Sequence, residues 1–136
     1  MRILAIDHGT KRMGIAISDE MRTIAQPLEF IAAEPLDRLF ERLAQIIADK
    51  QVSLIVVGVP RNMDGTYGPA AVKVQEFVTA LKERVTVPIK TWDERLTSVQ
   101  ANRYLIEADV RRSKRKEKVD KTAAAILLQS YLDSVG

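Results

Sequence analysis

The chain has 136 residues, enough for one domain of ordinary size and too few for two independent ones. Its 46% hydrophobic and 29% charged residues, with six glycines and five prolines, are typical of a compact globular protein and exclude a disordered or fibrous chain. The chain has no cysteine. This excludes disulfides, thiolate metal sites and a cysteine nucleophile, and it fits a reducing cytosol.

Apolar stretches are short throughout the sequence. Even a long one, Ala123 to Leu128, is far below the roughly 20 residues that a membrane span requires. At the N-terminus, Arg2 is followed by only four apolar residues before Asp7, which does not fit a signal peptide. We therefore expect a cytoplasmic protein that forms one domain over residues 1–136.

The net charge is +3, and its distribution is uneven. One short segment holds six basic residues and one acid, Glu117, so that the rest of the chain sums to −2. The basic residues are Arg111, Arg112, Lys114, Arg115, Lys116 and Lys118. Such a cluster indicates either a local contact with a polyanion, since phosphate contacts release counterions, or a solvated surface loop.

The first third of the sequence predicts three strands. Ile3 to Ile6 and Gly14 to Ile17 are apolar runs separated by a polar turn, which is typical of a central hairpin. Thr23 to Ile31 is a third extended segment. Pro27 lies inside it and cannot donate a ladder hydrogen bond, so this strand is expected at the sheet edge.

The middle of the sequence predicts alternating helices and strands. Apolar residues recur at steps of three and four from Pro35 to Lys50, which indicates an amphipathic helix. The β-branched run Leu54 to Val57, bounded by Gly58, is typical of a buried parallel strand. A second helix is expected to open at Pro69.

The last third continues the alternation. Val87 to Trp92 predicts a fifth strand, and the capping spacing of Thr97 and Gln100 predicts a helix running to about Ala108. A final helix is expected to begin at Asp120. The fold class is therefore α/β: a mixed five-stranded sheet with an antiparallel hairpin side and a parallel side, flanked by helices.

Three carboxylates are the candidate catalytic and metal-binding residues. If the first, fourth and fifth strands are parallel, Asp7, the 60–68 loop and Glu94 meet at the edge where open α/β sheets place ligands. Asp120 begins the final helix, and the alanines behind it allow that helix to approach the sheet closely. Singly, each carboxylate also has a plain interpretation as a turn residue, a surface ion pair or a helix cap.

Together the three carboxylates define a site chemistry. Hard oxygen ligands without cysteine suit Mg²⁺ or Mn²⁺ and not zinc. Two such ions about 3.5 to 4 Å apart support phosphodiester cleavage. Because clustered carboxylates repel one another, a bound metal would also stabilise the site.

Other polar residues are candidate nucleic-acid contacts. Besides the basic segment, these are Lys11, Arg12, Arg61, Asn62 and Arg95. The loop that carries Arg61 and Asn62 contains two glycines, whose backbone N–H groups could hold a phosphate. His8, the one histidine, could serve as a general base, but a turn residue is the preferred interpretation.

Four sequence blocks closely resemble the YqgF/RuvX family, bacterial proteins with an RNase H-like fold. The blocks are IDHGTKRMGIAISD, VGVPRNMDGTYGP, TWDERLTSVQA and KVDKTAAAILLQSYL. The resemblance implies a cytoplasmic metal-dependent nuclease, described either as a Holliday junction resolvase or as the enzyme that matures the 5′ end of precursor 16S ribosomal RNA. It also implies that Asp7, Glu94 and Asp120 form the acidic triad. His8 departs from the apolar residue or proline that is more frequent in the family.

Three alternatives stay open at the level of sequence. The Asp7 to Gly14 hairpin also resembles the phosphate-binding hairpin of the sugar kinase, actin and Hsp70-type ATPases, although one domain of this length is half of what those proteins use. The chain could also be a Holliday junction resolvase acting on branched DNA, or a non-catalytic module that binds nucleic acid or a pre-ribosomal particle. RNA and DNA cannot be distinguished, because recognition of a 2′-hydroxyl has no signature here.

Overall fold

The computed structural model describes residues 1–61, 64–94 and 122–135. The predicted helix from Thr97, the basic segment, Asn62, Arg95 and Asp120 lie outside the described residues. In the described ranges, no helix is long and apolar enough to cross a membrane.

A five-stranded mixed sheet forms the centre of the fold, with strand order β3-β2-β1-β4-β5. The strands are β1 (Arg2–Asp7), β2 (Arg12–Ser18), β3 (Ala25–Ala32), β4 (Val52–Val59) and β5 (Ile89–Asp93). β1 pairs antiparallel with β2, and β2 with β3, while β1, β4 and β5 run parallel. The predicted combination of an antiparallel and a parallel side is confirmed.

β3 lies at one edge of the sheet, where its proline predicted it. Pro27 pairs opposite Ala16, next to a register shift between Ile15 and Ala16. The missing N–H of Pro27 therefore lies at an irregular point of an edge strand, where the loss of one ladder hydrogen bond destabilises the sheet little.

Within residues 1–61, 64–94 and 122–135, three helices cover the two faces of the sheet: α1 (Leu36–Lys50), α2 (Pro69–Lys82) and α3 (Ala123–Val135). α1 and α2 pack against one face, with Leu39, Leu43 and Val74 among the buried residues of that core. α3 packs against the other face, where Leu128 is fully buried. The residues on the two faces alternate along each strand, as the pleat requires.

Several predicted boundaries differ from the structure by one to three residues, and three of these differences bear on the site. β4 extends to Val59, so Gly58 lies inside the strand and does not end it. β5 begins at Ile89 because Pro88 has no N–H to pair. The N-terminal cap of α3 among the described residues is Thr122, whose hydroxyl accepts the Ala125 N–H at 3.1 Å, whereas the sequence placed Asp120 at the helix start.

Candidate active site at the carboxyl edge of the sheet

Asp7 and Glu94 lie on the same face of the sheet, the face covered by α3. Ala5 belongs to the core beneath α3, and Asp7 follows it by two residues, so both point to that face. Glu94 directly follows β5, and its Oε2 atom and the Leu127 Cδ2 atom of α3 both lie against the side-chain position of Gly58. Both carboxylates stand at the carboxyl ends of parallel strands, as the sequence predicted.

Gly58 occupies the position on β4 between these two carboxylates. The β1–β4 register pairs Ile6 with Val57, which sets Asp7 level with Gly58, and the β4–β5 register pairs Gly58 with Trp92. A Cβ added at Gly58 would lie 2.9 Å from Glu94 Oε2. The absence of a side chain at Gly58 therefore makes room for the Glu94 carboxylate.

The same geometry limits the separation of the two acids. Because neighbouring strands are about 4.8 Å apart, the Glu94 Oε2 atom lies within about 8 Å of the Asp7 Cβ. Glu94 is only 4% exposed, and Asp7 is half-buried. Two hard oxygen donors thus lie at the same, partly water-excluded edge of the sheet.

The start of α3 reaches the sheet beside Asp7. Asp7 pairs opposite Gly14 on β2. A Cβ added at Gly14 would be 3.7 Å from the Asp7 Cβ and 3.6 Å from the Ala124 Cβ. The predicted close approach of the alanine-rich helix end is confirmed, and Gly14 supplies the matching gap in the sheet.

Arg61 connects the loop after β4 to the end of β5. Its guanidinium lies 3.4 Å from Asp93 Oδ2, donates to the Gly65 carbonyl, and stacks 4.5 Å from the centroid of the Tyr67 ring. The side chain is 27% exposed. Arg61 therefore braces the residue next to Glu94, in addition to being a predicted nucleic-acid contact.

Lys11 and Arg12 lie in and just after the β1–β2 turn, and both are exposed. The Lys11 carbonyl accepts the Ala33 N–H at 2.9 Å, which ties the turn to the end of β3. The Arg12 guanidinium lies 4.1 Å from the centroid of the Phe30 ring. Both cations are thus at the edge that carries Asp7.

His8 lies in the turn, but its ring packs on the face opposite Asp7. The imidazole meets the Phe77 ring of α2 at 5.3 Å, edge to face, and lines a cavity of about 330 Å³. Burial and the nearby positive charge of Lys73 lower the pKa of His8 below its ordinary value. The geometry favours a packing role for a neutral His8 and not that of a base at the carboxylates.

The structure places two of the three predicted acids on the same face at one edge of the sheet. Asp120 is outside the described residues, and within 1–61, 64–94 and 122–135 no three potential metal-ligating side chains gather. Sequence reasoning missed the two glycines that make room for the site and the aromatic Phe30. A glycine inside a strand indicates that another group approaches the backbone closely. This indication was missed at Gly58 because β4 was predicted to end at Val57, one residue earlier.

Comparison with known proteins assigns the chain to a family. Residues 1–134 match the family described as RuvX: Holliday junction resolvase. The chain belongs to the RuvX family. This match confirms the family resemblance that the four sequence blocks indicated.

Several RuvX relatives are similar over almost their full length. A protein of Thermoanaerobacter pseudethanolicus named "Putative pre-16S rRNA nuclease" is 53% identical over 135 residues, covering 98% of this chain and 97% of the relative. A protein of the same name from Desulforamulus reducens is 50% identical over 134 residues, covering 98% of both. This chain is accordingly a nuclease, a hydrolase of phosphodiester bonds.

Solved structures support the fold of the RuvX chain. Thermus thermophilus RuvC, in complex with a Holliday junction substrate, superposes with a TM-score of 0.63 at 16% identity, covering 99% of this chain and 95% of that one. The fowlpox virus Holliday junction resolvase gives 0.52 at 14% identity, with 98% and 99% covered. At these identities the likeness confirms the RNase H-like fold class alone.

Proposed function

We propose that this chain is a divalent-metal-dependent nuclease that processes the 5′ end of precursor 16S ribosomal RNA. The observation that carries the proposal is the position of Asp7 and Glu94 on one face of the sheet, with the side-chain gap at Gly58 on the strand between them. The substrate is inferred from relatives of about 50% identity that bear the name of a pre-16S rRNA nuclease. The lack of cysteine fits a cytoplasmic location, where a pre-ribosomal particle would be the partner.

The donor set fits Mg²⁺ or Mn²⁺. Asp7 and Glu94 provide hard carboxylate oxygens, and two carboxylates plus substrate phosphate are the usual ligands of these ions. When bound, such an ion supplies Lewis-acid activation of water and of the scissile phosphate. The chain's own residues hold the ion, orient the phosphate and limit access of bulk water.

Asp120 is the proposed third ligand. Ala124 is beside Asp7, and Asp120 precedes Ala124 by four residues in the sequence. Four residues span at most about 14 Å, and this limit is compatible with a ligand at position 120 at the same edge. Like-charge repulsion among three carboxylates would then be relieved by the bound cation.

Basic residues are the proposed contacts to the substrate backbone. Lys11 and Arg12 lie at the edge that carries Asp7, and the six cations between Arg111 and Lys118 add sequence-independent affinity for phosphate. Asn62 and Arg95, each adjacent in sequence to a site residue, are proposed to extend this set.

A side-by-side cleavage assay tests the proposed function. Purified protein is incubated with precursor 16S ribosomal RNA and with a DNA four-way junction, each with Mn²⁺ and with chelator. We expect cleavage of the RNA at its 5′ end with Mn²⁺ only. Preferential cleavage of the junction would identify a Holliday junction resolvase instead, and binding without cleavage of either substrate would identify a non-catalytic module.

A further inference from the structure

Phe30 is a large exposed aromatic residue beside the candidate catalytic carboxylate. It is 52% exposed on the edge strand β3. It pairs opposite Gly14, which in turn pairs opposite Asp7. A Cβ added at Gly14 would lie 3.4 Å from Cε1 of the Phe30 ring and 3.7 Å from the Asp7 Cβ. The ring therefore extends over β2 toward Asp7.

Arg12 adds a positive charge to this aromatic surface. Its guanidinium is 4.1 Å from the centroid of the Phe30 ring, a cation–π distance that holds the flexible side chain in place. Lys11, also exposed, precedes it in the turn. An aromatic ring next to a guanidinium matches the two parts of a nucleotide, its flat base and its charged phosphate.

A cavity adjoins the Phe30 ring. Its volume is about 330 Å³. Among the described residues its walls are formed by Ile15, Pro27, Leu28, Glu29, Phe30 and Thr122. This volume is at the lower end for small-ligand sites and is enough for one base. Thr122 precedes α3, the helix that reaches the sheet beside Asp7, so this wall of the cavity lies on the active-site side of β3.

We propose that Phe30 and Arg12 hold one unpaired nucleobase of the substrate and its neighbouring phosphate next to the phosphodiester bond that is cut. The inference rests on the proposed nuclease function and adds that the substrate is single-stranded at this point. Aromatic rings and guanidinium planes are the groups on which splayed-out bases stack. Pro27 interrupts the β3 edge, which disfavours pairing with a strand of a partner protein.

Binding to single-stranded RNA tests this site apart from catalysis. Short RNAs from the 5′ region of precursor 16S ribosomal RNA, with 2-aminopurine at successive positions, are titrated with the Asp7→Asn protein. We expect Phe30→Ala in this background to weaken binding by about 5- to 150-fold. In the Asp7→Asn parent we expect the fluorescence of 2-aminopurine to be quenched at one position of the RNA. Phe30→Ala should abolish this quenching, and Phe30→Trp should restore both the binding and the quenching.

Ile24→Ala is the matched control. Ile24 is 56% exposed and directly precedes β3, six residues from Phe30 and about 20 Å away along the strand. Its truncation removes a similar exposed apolar surface and should leave binding and quenching unchanged. Circular dichroism reports folding of each variant. If Phe30→Ala does not fold, the inference is tested by the Asp7→Asn parent and by Phe30→Trp. Quenching at one RNA position in both proteins supports the base site, and its absence in both contradicts it.

The outcomes separate this inference from the proposed function. If Phe30→Ala binds as tightly as its parent and no RNA position is quenched, the base site is wrong. This conclusion holds even if the protein with Asp7 restored cleaves the RNA. If that protein cleaves nothing while binding still depends on Phe30, the nuclease function is wrong and the base site stands. In an active enzyme, Phe30→Ala should raise KM more than it lowers kcat.

Discussion

Glu94 fills the space that a side chain at Gly58 would take: an added Cβ would be 2.9 Å from its Oε2 atom and 3.2 Å from its Cγ. The same Cβ would meet the Leu127 Cδ2 of α3 at 3.0 Å. Gly58 is therefore the point where a central strand, a catalytic candidate and the covering helix meet.

Gly58→Ala should lower both stability and cleavage. Relief of the contacts requires the Glu94 carboxylate or α3 to move, and overpacking of this kind costs about 1–3 kcal/mol of unfolding free energy. Displacement of a carboxylate by about 1 Å should reduce the cleavage rate about 100-fold. Denaturant unfolding and single-turnover cleavage measure the two effects.

Gly14→Ala is the stability control for that substitution. Its added Cβ would make ordinary contacts of 3.4 Å with Phe30 and 3.6 Å with Ala124. Its unfolding free energy should therefore fall less than that of Gly58→Ala. Equal decreases would show that both positions are sensitive for reasons other than the space beside Glu94.

Divalent metal should stabilise the folded protein through the carboxylates. At a Mn²⁺ concentration 100 times its Kd, the unfolding free energy should rise by about 2.7 kcal/mol. Asp7→Asn should reduce this increase, as seen by thermal unfolding with and without Mn²⁺. Asp37→Asn, which removes an 83% exposed carboxylate on α1, is the control and should respond like the wild type.

The ion pair of Glu29 and Arg42 should contribute stability that depends on pH. Arg42 donates two hydrogen bonds to the carboxylate, at 2.9 and 2.7 Å, and these hold the pKa of Glu29 below its ordinary value of 4.5. Because the folded-state pKa is depressed, the contribution is complete above pH 4.5 and is lost as the pH falls through the folded-state value. Glu29→Gln should therefore be less stable than wild type near pH 7 and approach it in acid.

Urea unfolding at a series of pH values measures that difference. Glu41→Gln, a change at an exposed carboxylate of α1, serves as the control. A constant gap between Glu29→Gln and wild type from pH 7 to pH 3 would contradict the assignment of the stability to this ion pair.

The basic segment should set the salt dependence of RNA binding. Neutralising Arg111, Arg112, Lys114, Arg115, Lys116 and Lys118 should weaken binding and reduce the salt slope by up to about 0.7 to 0.9 for each RNA phosphate that the protein no longer neutralises. Neutralising Lys50 and Lys82, at the ends of α1 and α2, should change the slope little. An unchanged slope in the six-residue variant would identify the segment as a solvated loop.

The sheet could be predicted because its signals are local. Apolar runs and the helical spacing of apolar residues predicted every described strand and helix, and Pro27 identified the edge strand. The position of Asp7 and Glu94 at one edge followed from parallel strand order. Asp120 as a third ligand stays a prediction.

The details of the site could not be predicted because they depend on contacts between distant segments. Gly58 is needed because Glu94, 36 residues later, and Leu127 of α3 both lie against it. Phe30 resembles any apolar residue of a strand, and only the pairing with Gly14 shows that it stands exposed beside Asp7. Likewise, the side of the sheet that His8 faces could be assigned only from the contact of its ring with Phe77.

The most direct test of the account is the cleavage of precursor 16S ribosomal RNA by Asp7→Asn under saturating Mn²⁺, with Asp37→Asn as the control. The substitution removes one charge with little change of volume. The account predicts that Asp7→Asn folds and binds the RNA but does not cut it, while the control cuts normally. Cleavage by Asp7→Asn at the wild-type rate would contradict the assignment of the active site.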